Sequence, residues 1–351
     1  MTMDFGTIRE LLVGRDPDAV REMYGLADQT RRDHVGDDVH LRGLAEVSNH
    51  CRRRCAYCGV HAGRTLPRYR MTRDEVLEAA REAKELGYGT LVMQAGEDPG
   101  LTRVMIADTI RAVKEKTGLA VTLSLGERDP DEFAAWREAG ADRYLLRFET
   151  SDPDLFRRIH PPLASRGLDG RMAFLRQLRE LGYEVGSGVM VGIPGQTWDM
   201  LARDILLFRD LDLDMIGIGP YLPHPDTDLV RFPERFPPAP VGEQARADGE
   251  TTTRVVALAR LMQPDANIPA TTALALVNRD GGREHALSRG ANIIMPNLTP
   301  ARHRRLYEIY PAKADFTETA RAAQATLAKQ LAGLGRSIGT GRGDSPNRRK
   351  R

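Results

Sequence analysis

The sequence predicts an α/β fold, a (β/α)8 barrel of the TIM type, and three observations carry that expectation. From about residue 43 onward, short apolar runs alternate with longer segments of helical period. Eight such units spread over roughly 250 residues are what that barrel requires. Many of the helical segments close on glycine, the usual C-cap residue. An open doubly wound sheet is the runner-up, but it does not usually need eight units in one domain.

Residues 1–40 hold two charged helical stretches, 6–13 and 17–33, and are expected to form an N-terminal helical extension. The barrel is expected over residues 41–312. Its strands are predicted at 44–48, 90–94, 120–125, 143–147, 184–191, 215–219, 267–271 and 291–295. Helical period falls between them at 73–86, 103–116, 131–139, 171–181, 197–211 and 249–262. Gly87, Gly118, Gly140, Gly182 and Gly290 mark helix ends. Residues 313–335 read as a C-terminal helix. Residues 336–351 are rich in Gly, Ser and Arg with almost no apolar side chains, so a disordered basic tail is expected there. The string ELGY recurs at 85–88 and 180–183, closing a helix before a strand each time, and reads as ordinary unit-to-unit similarity.

Hydrophobic residues make up 41% and charged residues 28% of the 351, which fits a soluble globular protein with a sizeable core. Fifty-one basic against 49 acidic residues leave a formal charge of +2, so neither nucleic acid nor an anionic membrane is expected as the main partner. The N-terminus lacks a positive-then-apolar leader pattern and no apolar window is long enough to span a bilayer. The expected localisation is cytoplasmic, and an odd cysteine count in one tight cluster is a poor disulfide framework and a good metal site.

All three cysteines fall within eight positions, Cys51, Cys55 and Cys58, in the spacing C-x3-C-x2-C. Three thiolates can hold three irons of a cubane cluster and leave the fourth iron open to a substrate, whereas a four-thiolate cluster normally only passes electrons. Zinc is the rival reading, because His50 and His61 flank the motif and either could complete a Cys3His site. Tyr57 sets an aromatic cover beside the last cysteine, and the motif opens a barrel in place of a small zinc-stapled module.

Chemistry in such barrels sits on loops leaving the C-terminal ends of strands. The unusual residues cluster there: the cysteine loop after the first strand, Ala95, Gly96, Glu97 and Asp98 after the second, Ser124 and Glu127 at the third, and Arg147 to Thr150 at the fourth. Residues 192–195 follow the fifth, 220–226 the sixth, Thr271 and Thr272 the seventh, and Pro296 and Asn297 the eighth.

C-x3-C-x-aromatic-C after a first strand resembles the radical S-adenosylmethionine (SAM) superfamily. That resemblance implies a 4Fe-4S cluster on Cys51, Cys55 and Cys58, whose open iron chelates the amino and carboxylate groups of SAM and cleaves the sulfonium to a 5′-deoxyadenosyl radical. It also implies cofactor contacts from the backbone at Ala95 and Gly96, from Glu97 to the SAM amino group, and from Ser124. Glu149 and Arg147, helped by Arg171, would meet its ribose or carboxylate. Gly192 to Gly195 would approach the adenine, with Met190 and Met215 as an apolar wall.

Longer strings narrow the branch: RYRMT (68–72), AGADRYLLRFET (139–150), VGIPGQT (191–197), MIGIGPYLPHPDT (215–227), NIPATTA (267–273) and GANIIMPN (290–297). Over about residues 35–312 they resemble the HydE family of FeFe-hydrogenase maturases, whose relatives include biotin synthase and methylornithine synthase. The resemblance implies action on a small iron complex carrying carbon monoxide, cyanide and cysteine, made by a companion radical SAM enzyme, with radical attack at the cysteine sulfur. A reductant such as ferredoxin or flavodoxin, companion maturases and a GTPase scaffold would be its partners. Substrate contacts are implied at Thr122, Arg147, Thr271 and Thr272; hydroxyl donors and one guanidinium suit a small anionic complex.

Three positions depart from that pattern: Ala95 where serine is common, Phe148 where histidine is common, and His303 where tyrosine is common. The cysteines that bind an accessory cluster in some members are absent. His303 is expected to face the barrel mouth, as a substrate ligand, a proton-transfer group or a loop residue. The alternatives are a paralogue with the same SAM chemistry on another small molecule, a non-enzymatic carrier of an iron complex, and methylornithine synthase. The last would need an acid beside the seventh-strand loop to meet an amine, and that loop reads Thr271, Thr272, Ala273.

Overall fold

The computed structural model describes residues 3–161, 167–278, 281–311 and 320–347. The N-terminal extension is two helices, α1 (Phe5–Val13) and α2 (Pro17–Val35). Asp4 and Asp16 cap them by accepting from the backbone N–H of Thr7 and of Asp18 and Ala19. The pair lies on the outside of the barrel, where Arg9 reaches Asp199 at 2.5 Å and Glu243 at 2.9 Å.

The barrel proper alternates strand and helix: β1 (Asp38–Ser48), α3 (Arg73–Glu85), β2 (Thr90–Ala95), α4 (Arg103–Thr117), β3 (Ala120–Ser124), α5 (Pro130–Glu138) and β4 (Arg143–Leu145). Then come α6 (Pro153–Ile159), α7 (Gly167–Glu180), β5 (Glu184–Val191), α8 (Trp198–Asp210), β6 (Met215–Pro220), α9 (Asp228–Arg231), a 3-10 turn at Pro233–Arg235, and α10 (Gly249–Met262). The last part holds α11 (Thr272–Val277), α12 (Gly282–Leu287), β7 (Ile293–Ile294), α13 (Ala301–Arg304), α14 (Ala320–Gly333) and β8 (Ser337–Ile338). The expected helix ends Gly87, Gly118, Gly140, Gly182 and Gly290 all have positive φ, a conformation other residues adopt at a cost. Thr72 makes a full capping box with Glu75 at the start of α3.

The sheet is parallel and curled, in the order β6-β5-β4-β3-β2-β1-β7. Its two edges meet through the run expected as a seventh strand. Asn267 bridges Met215, and Pro269 bridges Ile293. The Asn267 N–H donates to Asp214 O (2.8 Å) and the Ala270 N–H to Ile293 O (2.9 Å). Pro269 cannot donate, so this run forms bridges and no ladder. Strands β2, β3 and β5 are buried on both faces at nearly every residue, as a parallel sheet wrapped by helices requires. A smaller apolar cluster (Ala56, Leu155, Ile159, Met190, Ile193, Tyr221, Leu229, Phe236) packs beneath the cysteine loop. No helix of the described residues is long and apolar enough to cross a membrane.

The C-terminal segment corrects the sequence expectation. Residues 336–347 are folded onto the N-terminal end of the barrel. Ser337 and Ile338 pair with Asp38 and Val39 of β1. The Arg336 guanidinium donates to the carbonyls of Leu287 (2.9 Å) and Ala291 (2.8 Å). Gly343 O accepts from Arg42 Nη2 (2.9 Å) and Asn267 Nδ2 (3.0 Å), and Asp344 pairs with the fully buried Arg143. Composition missed this because the segment is held by hydrogen bonds and ion pairs and buries few apolar side chains. The expected helix start at 313–319 and the last residues, 348–351, lie outside the described residues.

Candidate active site

The cysteine loop leaves β1 and is tied down by backbone. Ala56 N–H donates to Ile159 O (2.9 Å), and Leu229 N–H donates to Ala56 O (3.0 Å). Arg68 staples the loop, donating to the carbonyls of Val60, His61 (both 2.8 Å) and Arg64 (2.9 Å). The N–H groups of Glu97 (3.3 Å) and Arg53 (3.4 Å) point at Cys51 Sγ, a donor arrangement that stabilises a thiolate. Gly96 allows the β2 loop to come this close; a Cβ there would collide with His50 O and stand 2.7 Å from Cys51 Cβ.

Without a cation the three thiols resist ionisation. Burial, then mutual repulsion, pushes the Cys55 thiol up to about 12 and raises that of Cys58 further; burial also raises Cys51. Among the described residues no three His, Cys, Asp or Glu side chains converge on one metal ion. His61 uses both ring nitrogens, Nε2 toward Asp226 O (3.1 Å) and Nδ1 as acceptor from Gly63 N–H (3.1 Å). The donor set therefore does not fit a single zinc ion held by three cysteines and His61. Soft thiolates spaced around a loop fit a polynuclear cluster in which each holds its own iron.

A cavity of about 300 Å³ opens beside the loop at the C-terminal ends of the strands. Cys51, Tyr57 and Cys58 form one wall, and Ala95, Gly96 and Ser124 stand next to them. Arg147, Glu149 and Met190 line a second side, with Thr271 and Thr272 on a third. Eleven residues expected from sequence thus share one space. Arg147 Nη2 pairs with Glu149 Oε2 at 2.8 Å. Glu149 holds a positive φ of 65°, an uncommon strain for this residue type. Burial raises its carboxyl pKa, against the opposing pull of Arg147 and Arg171.

Other expected residues sit elsewhere. Cys55 is on the loop without lining the cavity. Thr122 is buried in β3, its hydroxyl without a partner. Arg171 acts behind the wall, donating to Glu127 Oε1 (2.8 Å) and to Arg147 O. Glu97 is turned away from the cavity, its carboxylate bound to Arg52 Nε (2.6 Å) and Glu127 N–H (3.1 Å). Met215 is the first residue of β6 and so lies at the opposite end of the barrel, where its Sδ accepts from Arg42 Nη1 at 3.1 Å. His303 does not face the mouth: it stacks on Tyr69 (centroids 4.3 Å apart) and its Nε2 meets Glu75 Oε1 at 2.9 Å. Of the three departures only Ala95 lines the cavity; Phe148 is buried against Phe208 at 6.0 Å between ring centroids.

Sequence reasoning missed Met295, Tyr307 and Tyr310, all of which line the cavity. The tyrosines left a signal, an aromatic pair three residues apart in the segment between α13 and α14.

Residues 45–208 match the model of the Radical SAM superfamily. Fold and site together define a radical SAM enzyme, whose cofactors are a 4Fe-4S cluster and SAM. Over 333 residues the chain is 44% identical to the [FeFe] hydrogenase maturase subunit HydE of Thermotoga maritima, covering 95% of this chain and 91% of that one. The chain belongs to the HydE family of hydrogenase maturases. It is also 26% identical to 3-methylornithine synthase of Methanosarcina acetivorans, over 82% of this chain and 77% of that one. A crystal structure of methylornithine synthase shares the fold, with a TM-score of 0.81 at 23% identity over 97% of this chain and 95% of that one.

Proposed function

We propose that this enzyme acts, on a closed (β/α)8 barrel, upon a small cysteine-bearing iron complex with carbon monoxide and cyanide ligands, yielding a precursor of a hydrogenase di-iron centre. The observation that carries this reading is the sharing of one cavity of about 300 Å³ by Cys51 and Cys58 with Arg147, Thr271 and Thr272. When bound, the cluster and SAM supply one-electron reductive cleavage of a sulfonium and hence hydrogen-atom or radical-addition chemistry.

The chain's own residues divide the remaining work. Cys51, Cys55 and Cys58 hold the cluster, with the Glu97 and Arg53 N–H groups turned to Cys51. Arg147 presents a guanidinium to an anionic complex and the Thr272 hydroxyl stands at the same wall, while the Thr271 hydroxyl donates to Ile218 O at 3.0 Å. Thr271 already caps α11 by accepting from Leu274 N–H at 3.4 Å, so its hydroxyl is oriented before any ligand arrives. Tyr307 is buried, and with Tyr310 and Leu222 it lines the cavity and keeps water from the reacting groups. A reductant such as ferredoxin or flavodoxin and companion maturases in the cytoplasm complete this reading. No acid stands beside Thr271 and Thr272 in the seventh-strand loop to meet a lysine-derived amine, which favours it over methylornithine synthesis.

The test is anaerobic reconstitution with iron and sulfide, then dithionite and SAM with and without the synthetic iron–cysteine–carbonyl–cyanide complex. The expected results are about four irons per chain, 5′-deoxyadenosine, and complex-dependent consumption of SAM. Cys55→Ala protein should lose both the visible cluster absorption and SAM cleavage. Cluster-bearing protein that makes 5′-deoxyadenosine at the same rate with or without the complex would overturn the substrate assignment.

A further inference from the structure

Tyr57 lines the cavity beside Cys58, and its hydroxyl stands 3.1 Å from His160 Nε2, with the cavity-lining Glu149 carboxylate also within its reach. The two rings meet edge to face, with centroids 5.5 Å apart. On its other side His160 Nδ1 stands 3.1 Å from Phe156 O. A carbonyl can only accept, so Nδ1 carries the proton; in the neutral imidazole Nε2 then accepts from the phenol. His160 is buried, and burial together with the nearby Arg171 charge holds its pKa well below the usual value, which keeps this tautomer neutral. Phe156 packs tilted against the imidazole, with centroids 4.3 Å apart, and Ala56 N–H is bound to Ile159 O, the residue before His160. The end of α6 is therefore tied to the cysteine loop twice, once through backbone and once through the Tyr57 hydroxyl.

We propose that His160 is a positioning residue: by accepting the Tyr57 hydroxyl it fixes the Tyr57 ring as a rigid wall at the SAM end of the cavity. This rests on the assignment of the cavity to SAM and adds a residue that touches neither cluster nor SAM. Its sequence signature is a lone histidine before Pro161 and Pro162, far from the cysteines in the chain.

The experiment compares wild type with Tyr57→Phe, His160→Phe, His160→Gln and the Tyr57→Phe/His160→Phe double variant, all reconstituted anaerobically. SAM affinity is read without turnover, from the change in the electron paramagnetic resonance signal of the reduced cluster on titration with SAM. Wild type showing that change establishes SAM binding independently of the His160 proposal. Tyr57→Phe and His160→Phe are each expected to weaken SAM binding about fivefold, the worth of one neutral hydrogen bond. The double variant should be no weaker than either single one. Gln can accept from the phenol and donate to Phe156 O, so His160→Gln should bind SAM as wild type does. In metal-free protein, ¹⁵N NMR should find His160 protonated on Nδ1. Unchanged SAM affinity in Tyr57→Phe, penalties that multiply in the double variant, or a proton on Nε2 would each overturn the proposal. If His160→Phe does not fold, His160→Leu takes its place, since Tyr57→Phe also removes the contact of the phenol with the Glu149 carboxylate.

Discussion

Gly89 and Gly341 pack backbone against backbone: a Cβ on Gly89, just before β2, would collide with the carbonyl oxygen of Gly341 in the C-terminal segment. Two glycines 252 positions apart thus form one joint, because a side chain on Gly89 has no room against the backbone of Gly341. Gly341 itself has a φ of 74°.

Gly89→Ala is therefore expected to lift the terminal segment off the barrel. The stability loss should be about 1–3 kcal/mol, the range for overpacking a close contact. Limited trypsin digestion, read by mass spectrometry, should cleave at Arg336 or Arg342 far faster than in wild type. Equal cleavage rates would show that the segment is not held at this joint.

Asp344 is a second handle on the same segment. It pairs with Arg143, whose side chain is fully buried and also bound to Glu184 at 2.8 Å. Removing Asp344 leaves Arg143 the Glu184 carboxylate as its one acidic partner, beside Thr90 Oγ1 and Arg342 O, so Asp344→Ala should cost about 1–2 kcal/mol, discounted because Asp344 is one-third exposed. Urea unfolding at neutral pH measures it. An unfolding midpoint equal to that of wild type would show that the pair is not what holds the segment.

The two ends of the barrel differed in how far the sequence could be read. Strand and helix positions followed from apolar periodicity and glycine caps, and 184–191 and 249–262 coincide with β5 and α10. Cys51, Arg147, Thr271 and Thr272 were placed together because each follows a strand end. Met215 was misplaced because a strand has two ends, and the first residue of β6 belongs to the other one. His303 was misplaced because the short α13 turns it toward Tyr69, leaving Tyr307 and Tyr310 to reach the cavity. The terminal segment was misread because Arg336, Ser345 and Asn347 are buried through hydrogen bonds, which composition does not register.

Arg147 should separate substrate binding from cofactor chemistry. Its Nε is buried without a partner, while its Nη2 holds Glu149. Arg147→Ala should lower turnover of the iron complex by about 10–100-fold, the loss of one charge-assisted hydrogen bond. Slow SAM cleavage without the complex should survive. Equal loss of both activities would place Arg147 at the cofactor alone.

Asp204 should set part of the pH dependence of stability. This carboxyl of α8 is buried behind the Arg147–Glu149 strand end, where it accepts from Ser151 N–H (2.5 Å) and Oγ (2.6 Å). Burial outweighs those donors and pushes its pKa up to about 7 from an ordinary 3.8. Between those two values the folded chain holds a proton that the unfolded chain has lost. The contribution of Asp204 to stability is then greatest below about pH 4, falls as pH rises toward 7, and is flat above it. Asp214, raised to about 6 by burial, acts in the same direction, so the contribution of Asp204 is read as a difference between variants. Asp204→Asn keeps an acceptor for Ser151 and cannot ionise. In urea unfolding at pH 5 and pH 8, the variant should lose less stability between the two than wild type does. Identical losses would mean that Asp204 ionises as easily in the folded chain as in the unfolded one.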